Sequence, residues 1–316
     1  MKETNRKLMY LSSNYLLPFS LFIGLGITKI VNMAGNDAWI SVILGTILGL
    51  GINYIFVKLP KNNNKVCTYI VNFCLLLLGI TTLTKLISSV YLDKTSNLIV
   101  CLPFIILIFY TSMKDNYSLF KTTSILNLIY LLFILFAFGS LIPSTEIDNF
   151  KPILINPLGN ILLGSLEFAL YSTVPLMVMP DLKEKYNYKA YLGSCLFLLI
   201  IFGLIIGNLG LDLAKSYRYP EYMLFKNINI LDFIENIENV LFFVWIINIY
   251  TLTAHASLNI KSIVGIKGLI LTLIINVLFI NMFLINSYFG IEFLLDYFDL
   301  ILLIIVLVFI FGKIIK

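Results

Sequence analysis

Ten stretches of this chain are apolar for long enough to cross a lipid bilayer. They fall at roughly residues 9–31, 38–58, 66–90, 97–113, 118–142, 158–180, 189–211, 232–253, 262–285 and 292–312. A bilayer core takes about 20 apolar residues per helix, and a helix satisfies its own peptide groups where no water is present to do so. Only 12% of the 316 residues are charged and 59% are hydrophobic, whereas soluble domains carry about a quarter charged residues. The chain therefore reads as an all-α integral membrane protein with about ten transmembrane helices, residues 1–316 forming a single transmembrane domain. The longest polar stretches, about 143–157 and 212–231, are too short for a soluble domain. The second, "LDLAKSYRYPEYMLFKNINI", is amphipathic and reads as a segment lying along the membrane surface.

Charge in the loops tests these spans independently, because cytoplasmic loops collect Lys and Arg. With the N-terminus inside, alternate loops hold Lys2, Arg6, Lys7, Lys58, Lys61, Lys65, Lys114, Lys121, Lys183, Lys185, Lys189, Lys261, Lys267, Lys313 and Lys316, which is 15 of the 22 basic residues. A one-helix error in mid-chain would scramble that alternation, so both termini are expected to be cytoplasmic. "MKETNRK" precedes an apolar run too long for a signal peptide, with no small-residue cleavage site after it, and reads as the start of a retained first helix. The net charge of +5 is dispersed over short loops, with no basic stripe interleaved with stacking aromatics, which excludes nucleic acid as a partner. Cys67, Cys74, Cys101 and Cys195 lie in or beside apolar runs and read as packing residues rather than disulfides or metal ligands. No cofactor is expected.

Two spans are weakened from within. The first reads "LLPFSLFIGLGITKI", where Pro18 removes a backbone donor and Gly24 and Gly26 remove side chains. The sixth reads "GNILLGSLEFALYSTVPLMVMP", with Gly164, Ser165, Glu167, Tyr171, Ser172, Thr173 and Pro175. If the chain divides into repeats at 9–142 and 158–312, these are the first helices of the two halves, and interrupted helices at matching positions mark transporter folds built from inverted repeats. Irregular backbone at membrane depth is tolerated where it faces protein or a watery cavity, and its freed N–H and C=O groups can then bind a ligand. Glu167 lies well inside the sixth span. An ionised carboxylate at the bilayer centre costs about 3 kcal/mol, so Glu167 is expected to face a cavity. Lys85, the basic residue considered as its partner, lies near enough to a helix end to snorkel. Asp232, Glu235 and Glu238, and then Glu292, Asp296 and Asp299, open the eighth and tenth spans on the external side at spacings of three and four. They read as solvated helix ends complementing the dipole, with an acidic vestibule for amines as the functional alternative.

The stretch "NMAGNDAW" between the first two spans reads as an external turn, with Gly35 and Asn36 suiting a reversal and Trp39 the interfacial aromatic belt. Its continuation "AGNDAWISVILGTILGL" resembles the signature after the first helix of spore germination permeases, in Ala34, Gly35, Asp37, Ala38 and Trp39. "DFIENIENVLFFVW" resembles that family's eighth helix, in Phe233, Glu235, Ile237, Glu238 and Trp245, and "LMVMPDLKEK", with Pro180, resembles the end of its sixth. The family comprises the B subunits of germinant receptors, within the amino acid–polyamine–organocation superfamily. The resemblance implies a five-plus-five inverted-repeat fold with broken helices 1 and 6, in the spore inner membrane or cell membrane. It implies a small germinant, often an amino acid, bound between those helices with helices 3 and 8, and partner A and C subunits of the receptor. On that footing the backbone of Gly24, Leu25 and Gly26 is expected to take the ligand's carboxylate, with Glu167, Tyr171 and Ser172 beside it and Trp245 and Asn248 contributed by helix 8. Asp37 and Trp39 are assigned to the turn and the interface.

The rival reading with the same fold is a proton- or sodium-coupled amino acid transporter with Glu167 as proton carrier. A membrane acyl or glycosyl transferase is the reading from another class. His255, the one histidine, has no acid following at helical spacing, and no acidic metal-binding cluster occupies a large loop, so the chain is not expected to be an enzyme.

Overall fold

The computed structural model describes residues 3–58, 64–179, 184–228, 237–285 and 298–314. All regular structure among them is helical. The α-helices run α1 Glu3–Leu16, α2 Ile27–Ala34, α3 Ala38–Lys58, α4 Lys65–Val90, α5 Asn97–Ser112, α6 Asn116–Leu141, α7 Leu158–Thr173, α8 Glu184–Ser216, α9 Pro220–Lys226, α10 Ile237–Ile285 and α11 Phe298–Ile314. Among the described residues six segments are long and apolar enough to cross a membrane: Lys7–Lys58, Lys65–Val90, Asn116–Ser144, Leu158–Val178, Asn187–Ser216 and Phe242–Asn281; α5 is a shorter apolar helix. Two of the six exceed one crossing. Lys7–Lys58 holds 52 residues, about 78 Å if it were one straight helix, and it is interrupted between Leu16 and Ile27 and again at Gly35–Asp37. Phe242–Asn281 has 40 residues and changes course at Gly265, whose φ of 72° is not helical.

Helix starts follow ordinary capping. Asn64 Oδ1 accepts the N–H groups of Val66 and Cys67 at the head of α4, and Asp115 Oδ1 accepts that of Ser118 at the head of α6. Both satisfy donors that a helix N-terminus leaves bare.

The surface and interior show which solvent the chain is built for. Ile47, Ile106 and Leu132 are 62%, 65% and 63% exposed, while Asn53, Asn72 and Asn276 are at 0%, 1% and 0%. Apolar outside and polar inside is the arrangement of helices packed in lipid, where interhelical hydrogen bonds and close packing replace the hydrophobic drive. The buried polar groups join helices accordingly. Asn187 donates to Asn53 Oδ1 at 2.7 Å between α8 and α3, Asn259 to Asn72 Oδ1 at 3.0 Å between α10 and α4, and Ser13 meets Thr123 at 2.7 Å between α1 and α6. The α3–α7 contact is drawn close by Gly45, where an added Cβ would stand 2.7 Å from the Ser165 carbonyl oxygen.

The 32–39 turn is a structural clasp. Asp37, fully buried, accepts the N–H of Leu154 at 2.7 Å and both the N–H and Nδ2 of Asn156 at 3.3 and 3.1 Å. Asn156 Nδ2 also donates to the Ala34 carbonyl, and Asn36 to that of Lys151. The turn expected there is present, and Asp37 ties it to the 151–156 linker.

The segment expected along the membrane surface instead packs inward. α8 runs on to Ser216 with a kink at Gly210, and Pro220, Glu221, Tyr222, Leu224 and Phe225 of α9 are buried. Leu213, before the turn into α9, stays exposed, whereas Tyr222, Leu224 and Phe225 are covered by protein.

Candidate functional site

The site begins where α1 stops. Pro18 has no N–H to give, and its ring excludes the carbonyl of Asn14 from helical position. The chain tightens into a 3₁₀ turn at Leu17–Phe19 and then widens into a π-turn at Phe22–Gly26, Gly26 donating to the Leu21 carbonyl five residues back. Gly24 sits at φ +75°, in the left-handed region where a Cβ costs roughly 1–2 kcal/mol. Its N–H leaves the helical ladder and donates to Glu221 Oε1 at 2.8 Å. The expected break in the first span is therefore present, and the amide at Gly24 holds a carboxylate of the chain itself.

The sixth span breaks less deeply than expected. α7 is regular to Thr173, and a 3₁₀ stretch covers Val174–Val178. The interruption falls near the end of the segment rather than its middle, because Pro175 gives no N–H to the carbonyl of Tyr171 and its ring crowds that carbonyl, while Gly164 and Ser165 are compatible with a continuous helix.

Side chains gather on both sides of Gly24–Gly26. Tyr171 packs against Gly26, its Cδ1 3.1 Å from where a Cβ would stand there, and is fully buried. One turn before it, Glu167 meets Lys29 at 3.4 Å, and Lys29 also pairs with Asp299 of α11. Tyr171 lies within electrostatic reach of both acids. Lys29, not Lys85, is thus the cation of Glu167. One ammonium faces two carboxylates, and Glu167 Oε2 and Asp299 Oδ1 make no hydrogen bond among the described residues. Asp299, expected to be a solvated helix end, is a half-buried ion-pair partner of Lys29. Asp232, Glu235, Glu292 and Asp296, together with the Glu238 side chain, lie outside the described residues.

The other face of the break is aromatic. Phe19 packs on Tyr130 with ring centroids 5.1 Å apart. The Tyr130 hydroxyl in turn lies by the amide of Asn248, which is fully buried and makes no hydrogen bond of ordinary geometry among the described residues. Trp245 is buried against Phe225 of α9, centroids 4.9 Å apart, and against Phe242 at 6.4 Å. Of the expected residues, Tyr171 meets the Gly24–Gly26 break directly, at Gly26, and Glu167 joins it one turn away through Lys29. Trp245 and Asn248 reach the group through Phe225 and Tyr130. Ser172 is committed elsewhere: its hydroxyl meets Tyr191 at 2.8 Å, joining α7 to α8.

Sequence reasoning missed Lys29 and Glu221. Lys29 had a signal, a cation inside an apolar run two residues from its end, and intramembrane charges come paired. Glu221 had none, since an acid in an amphipathic loop is ordinarily solvated. In the structure α9 is pinned to the break. Thr28 Oγ1 donates to the Arg218 carbonyl at 3.0 Å and Ser89 Oγ to the Tyr219 hydroxyl at 3.1 Å. The Tyr219 ring stands 3.2 Å from the Cβ position of Gly24.

Comparison with known proteins adds a family. The chain is 22% identical over 251 residues to spore germination protein XB of Bacillus anthracis, an alignment that covers 71% of this chain and 70% of that protein. A family profile described as spore germination protein matches residues 66–289. That match takes in Glu167, Tyr171, Glu221, Trp245 and Asn248, while the break in the first span precedes it. With well over half of its length matched, the chain belongs to the spore germination permease family.

Proposed function

We propose that the chain is the membrane subunit of a germinant receptor, which binds a small germinant, an amino acid by its chemistry, and signals its occupancy to partner A and C subunits. The observation that carries this reading is the interruption at Leu17–Gly26, where a peptide amide leaves the helix ladder inside a membrane-embedded bundle and holds a carboxylate. An amide that seats one carboxylate can seat another, and a lone ion triad beside it offers charge of both signs for a zwitterion. In this reading the chain crosses the membrane ten times with both termini cytoplasmic. The halves 9–142 and 158–312 are inverted repeats, and the interruptions at Gly24 and Pro175 are counterparts. Binding acts by differential affinity for two arrangements of the bundle, which the partners read.

The test is Gly24→Ala. It places a methyl 3.2 Å from the Tyr219 ring and forces a left-handed φ on an L-residue, a local strain of about 1–2 kcal/mol. Spores carrying it are expected to hold normal amounts of membrane-inserted protein and to lose the response to the receptor's germinant. An unchanged germinant dose dependence would refute the assignment of the break as the site.

A second reading, a proton- or sodium-coupled amino acid transporter, draws on the uncompensated charge of Lys29, Glu167 and Asp299. Uptake of labelled amino acids by vesicles holding the isolated chain separates the two. Uphill accumulation under an imposed ion gradient favours transport, and binding without accumulation favours sensing.

A further inference from the structure

Glu221 stands where a ligand's carboxylate is expected. Its Oε1 accepts the Gly24 N–H at 2.8 Å, its side chain is fully buried, and its Oε2 makes no hydrogen bond among the described residues. A buried carboxylate with half of its acceptor capacity unused is held below its best hydration, so it is available for exchange. It is also not held alone. The backbone of Arg218 is fixed by Thr28, the Tyr219 hydroxyl by Ser89, and Phe225 by packing against the Trp245 ring. The α9 segment thus lays a carboxylate on the interrupted helix and covers it with a tyrosine ring.

We propose that Glu221 is a resident surrogate for the ligand's carboxylate, so that a carboxylate-bearing ligand reaches the Gly24 amide only by displacing Glu221 and the α9 segment that carries it. The proposal rests on the reading of the break as the ligand site and adds its competitor. One N–H cannot serve two carboxylates at hydrogen-bond distance, and a tethered group competes at a high effective concentration. Free ligand therefore binds more weakly than the seat alone would allow. Occupancy is coupled to movement of α9, because the displaced carboxylate cannot stay buried without its donor.

The fold supplies its own reporter. The chain has two tryptophans, and in a Trp39→Phe background tryptophan emission comes from Trp245 alone, which packs against Phe225 of the moving segment. The experiment titrates purified full-length chain in lipid vesicles with each standard L-amino acid, and with the corresponding amino acid amides as carboxylate-free controls. The expected result is that at least one amino acid, but not its amide, shifts Trp245 emission. In Glu221→Ala the half-saturation for that amino acid falls by about tenfold to a hundredfold, the range set by one charge-assisted hydrogen bond. Glu221→Gln keeps the shape and a neutral acceptor and falls between the two. Thr28→Ala loosens the segment without touching Glu221 and moves the half-saturation in the same direction by less. An amino acid that binds wild type with Glu221→Ala and Glu221→Gln unchanged or weaker overturns the surrogate and leaves the site reading standing. Amides that bind as well as acids overturn the carboxylate seat. No response from any probe in either protein overturns the site reading and the surrogate with it.

Discussion

Among the described residues Lys29 is the one cation paired with both Glu167 and Asp299, and that asymmetry makes its replacement and the replacement of its partners differ in a way that can be measured. At the 3.4 Å separation of Lys29 and Glu167, an effective dielectric of about 20 gives a gross attraction of about 5 kcal/mol, most of it offset by desolvation of the two groups. Removing one partner of a buried pair costs about 3–5 kcal/mol, because the other charge stays buried alone. The side chains of Lys29 and Asp299 are 19% and 32% exposed, so water screens part of this and about 2–3 kcal/mol remains. Lys29→Met leaves Glu167 and Asp299 facing each other without a counter-ion and is expected to lower the thermal midpoint in micelles by roughly 4–8 °C. Glu167→Gln removes the excess charge instead. It leaves Lys29 paired one-to-one with Asp299, and its midpoint is expected to stay within about 2 °C of wild type. In the double variant Lys29→Met, Glu167→Gln the single remaining acid is the more exposed Asp299, and at least half of the loss is recovered. Dye-reported unfolding of the four proteins at one detergent concentration gives the cycle. If Glu167→Gln costs as much as Lys29→Met, or if the double variant recovers nothing, the triad is not held by charge balance and the argument fails.

Glu221 makes a pH prediction. Burial pushes its carboxyl up from 4.5 to about 7, partly opposed by its own N–H and that of Gly24, so the docked group binds its proton more tightly than the released, solvated one. Docking is then strongest below the ordinary carboxylate range and weakens by about 3 kcal/mol as pH rises to about 7. With Tyr219 and Arg218 as its ionisable neighbours in the segment, Trp245 emission in the Trp39→Phe background should change with rising pH in the wild-type sequence and stay flat in Glu221→Gln. An equal pH response in both would refute it. Asp37→Asn turns one acceptor of the 154–156 linker into a donor facing two donors of Asn156. It should cost about 2–3 kcal/mol, read as faster proteolysis of the 142–157 linker. Gly45→Val drives a side chain into the Ser165 carbonyl between α3 and α7 and should lower stability by about 1–3 kcal/mol in the same thermal assay.

Much of the fold was legible because its causes are local. Pro18 and Gly24 declare where a helix cannot continue, and the φ of +75° and the π-turn fall where those residues put them. The apolar runs gave the helices, and the end expected for the seventh span, about residue 211, falls at the kink at Gly210, beyond which helix continues to Ser216. The sixth break was misplaced because Pro175 acts on the turn that contains it, whereas glycines earlier in the span only permit an irregularity. Pairing was less legible. Lys29 and Glu167 are separated by more than a hundred residues, and only the packing of α2 beside α7 chooses Lys29 over Lys85. Ser172 was misjudged for a related reason: its neighbour Tyr171 faces the break, but the next position along a helix turns about 100° away and meets Tyr191. Glu221 could not be read at all, because an amphipathic loop is as consistent with a membrane surface as with a tucked plug.

The break is held from two sides by groups of opposite design. On one side the triad of Lys29, Glu167 and Asp299 links α2, α7 and α11 through charge. On the other, Glu221 and Tyr219 link α9 to the π-turn through one amide hydrogen bond and ring packing. The two holds are of similar strength, about 2–3 kcal/mol for the screened triad and about 1.5–3 kcal/mol for a hydrogen bond to a charged group, and they differ in what a ligand can replace. In the proposed reading, a ligand that supplies a carboxylate competes with Glu221 for the Gly24 N–H and leaves the triad in place. The element expected to move is therefore α9, with α2 staying anchored to α7. In the proposed reading, the Phe225–Trp245 contact, with ring centroids 4.9 Å apart, is the one by which a change at Gly24 reaches α10, a helix that packs against α4, α5 and α6.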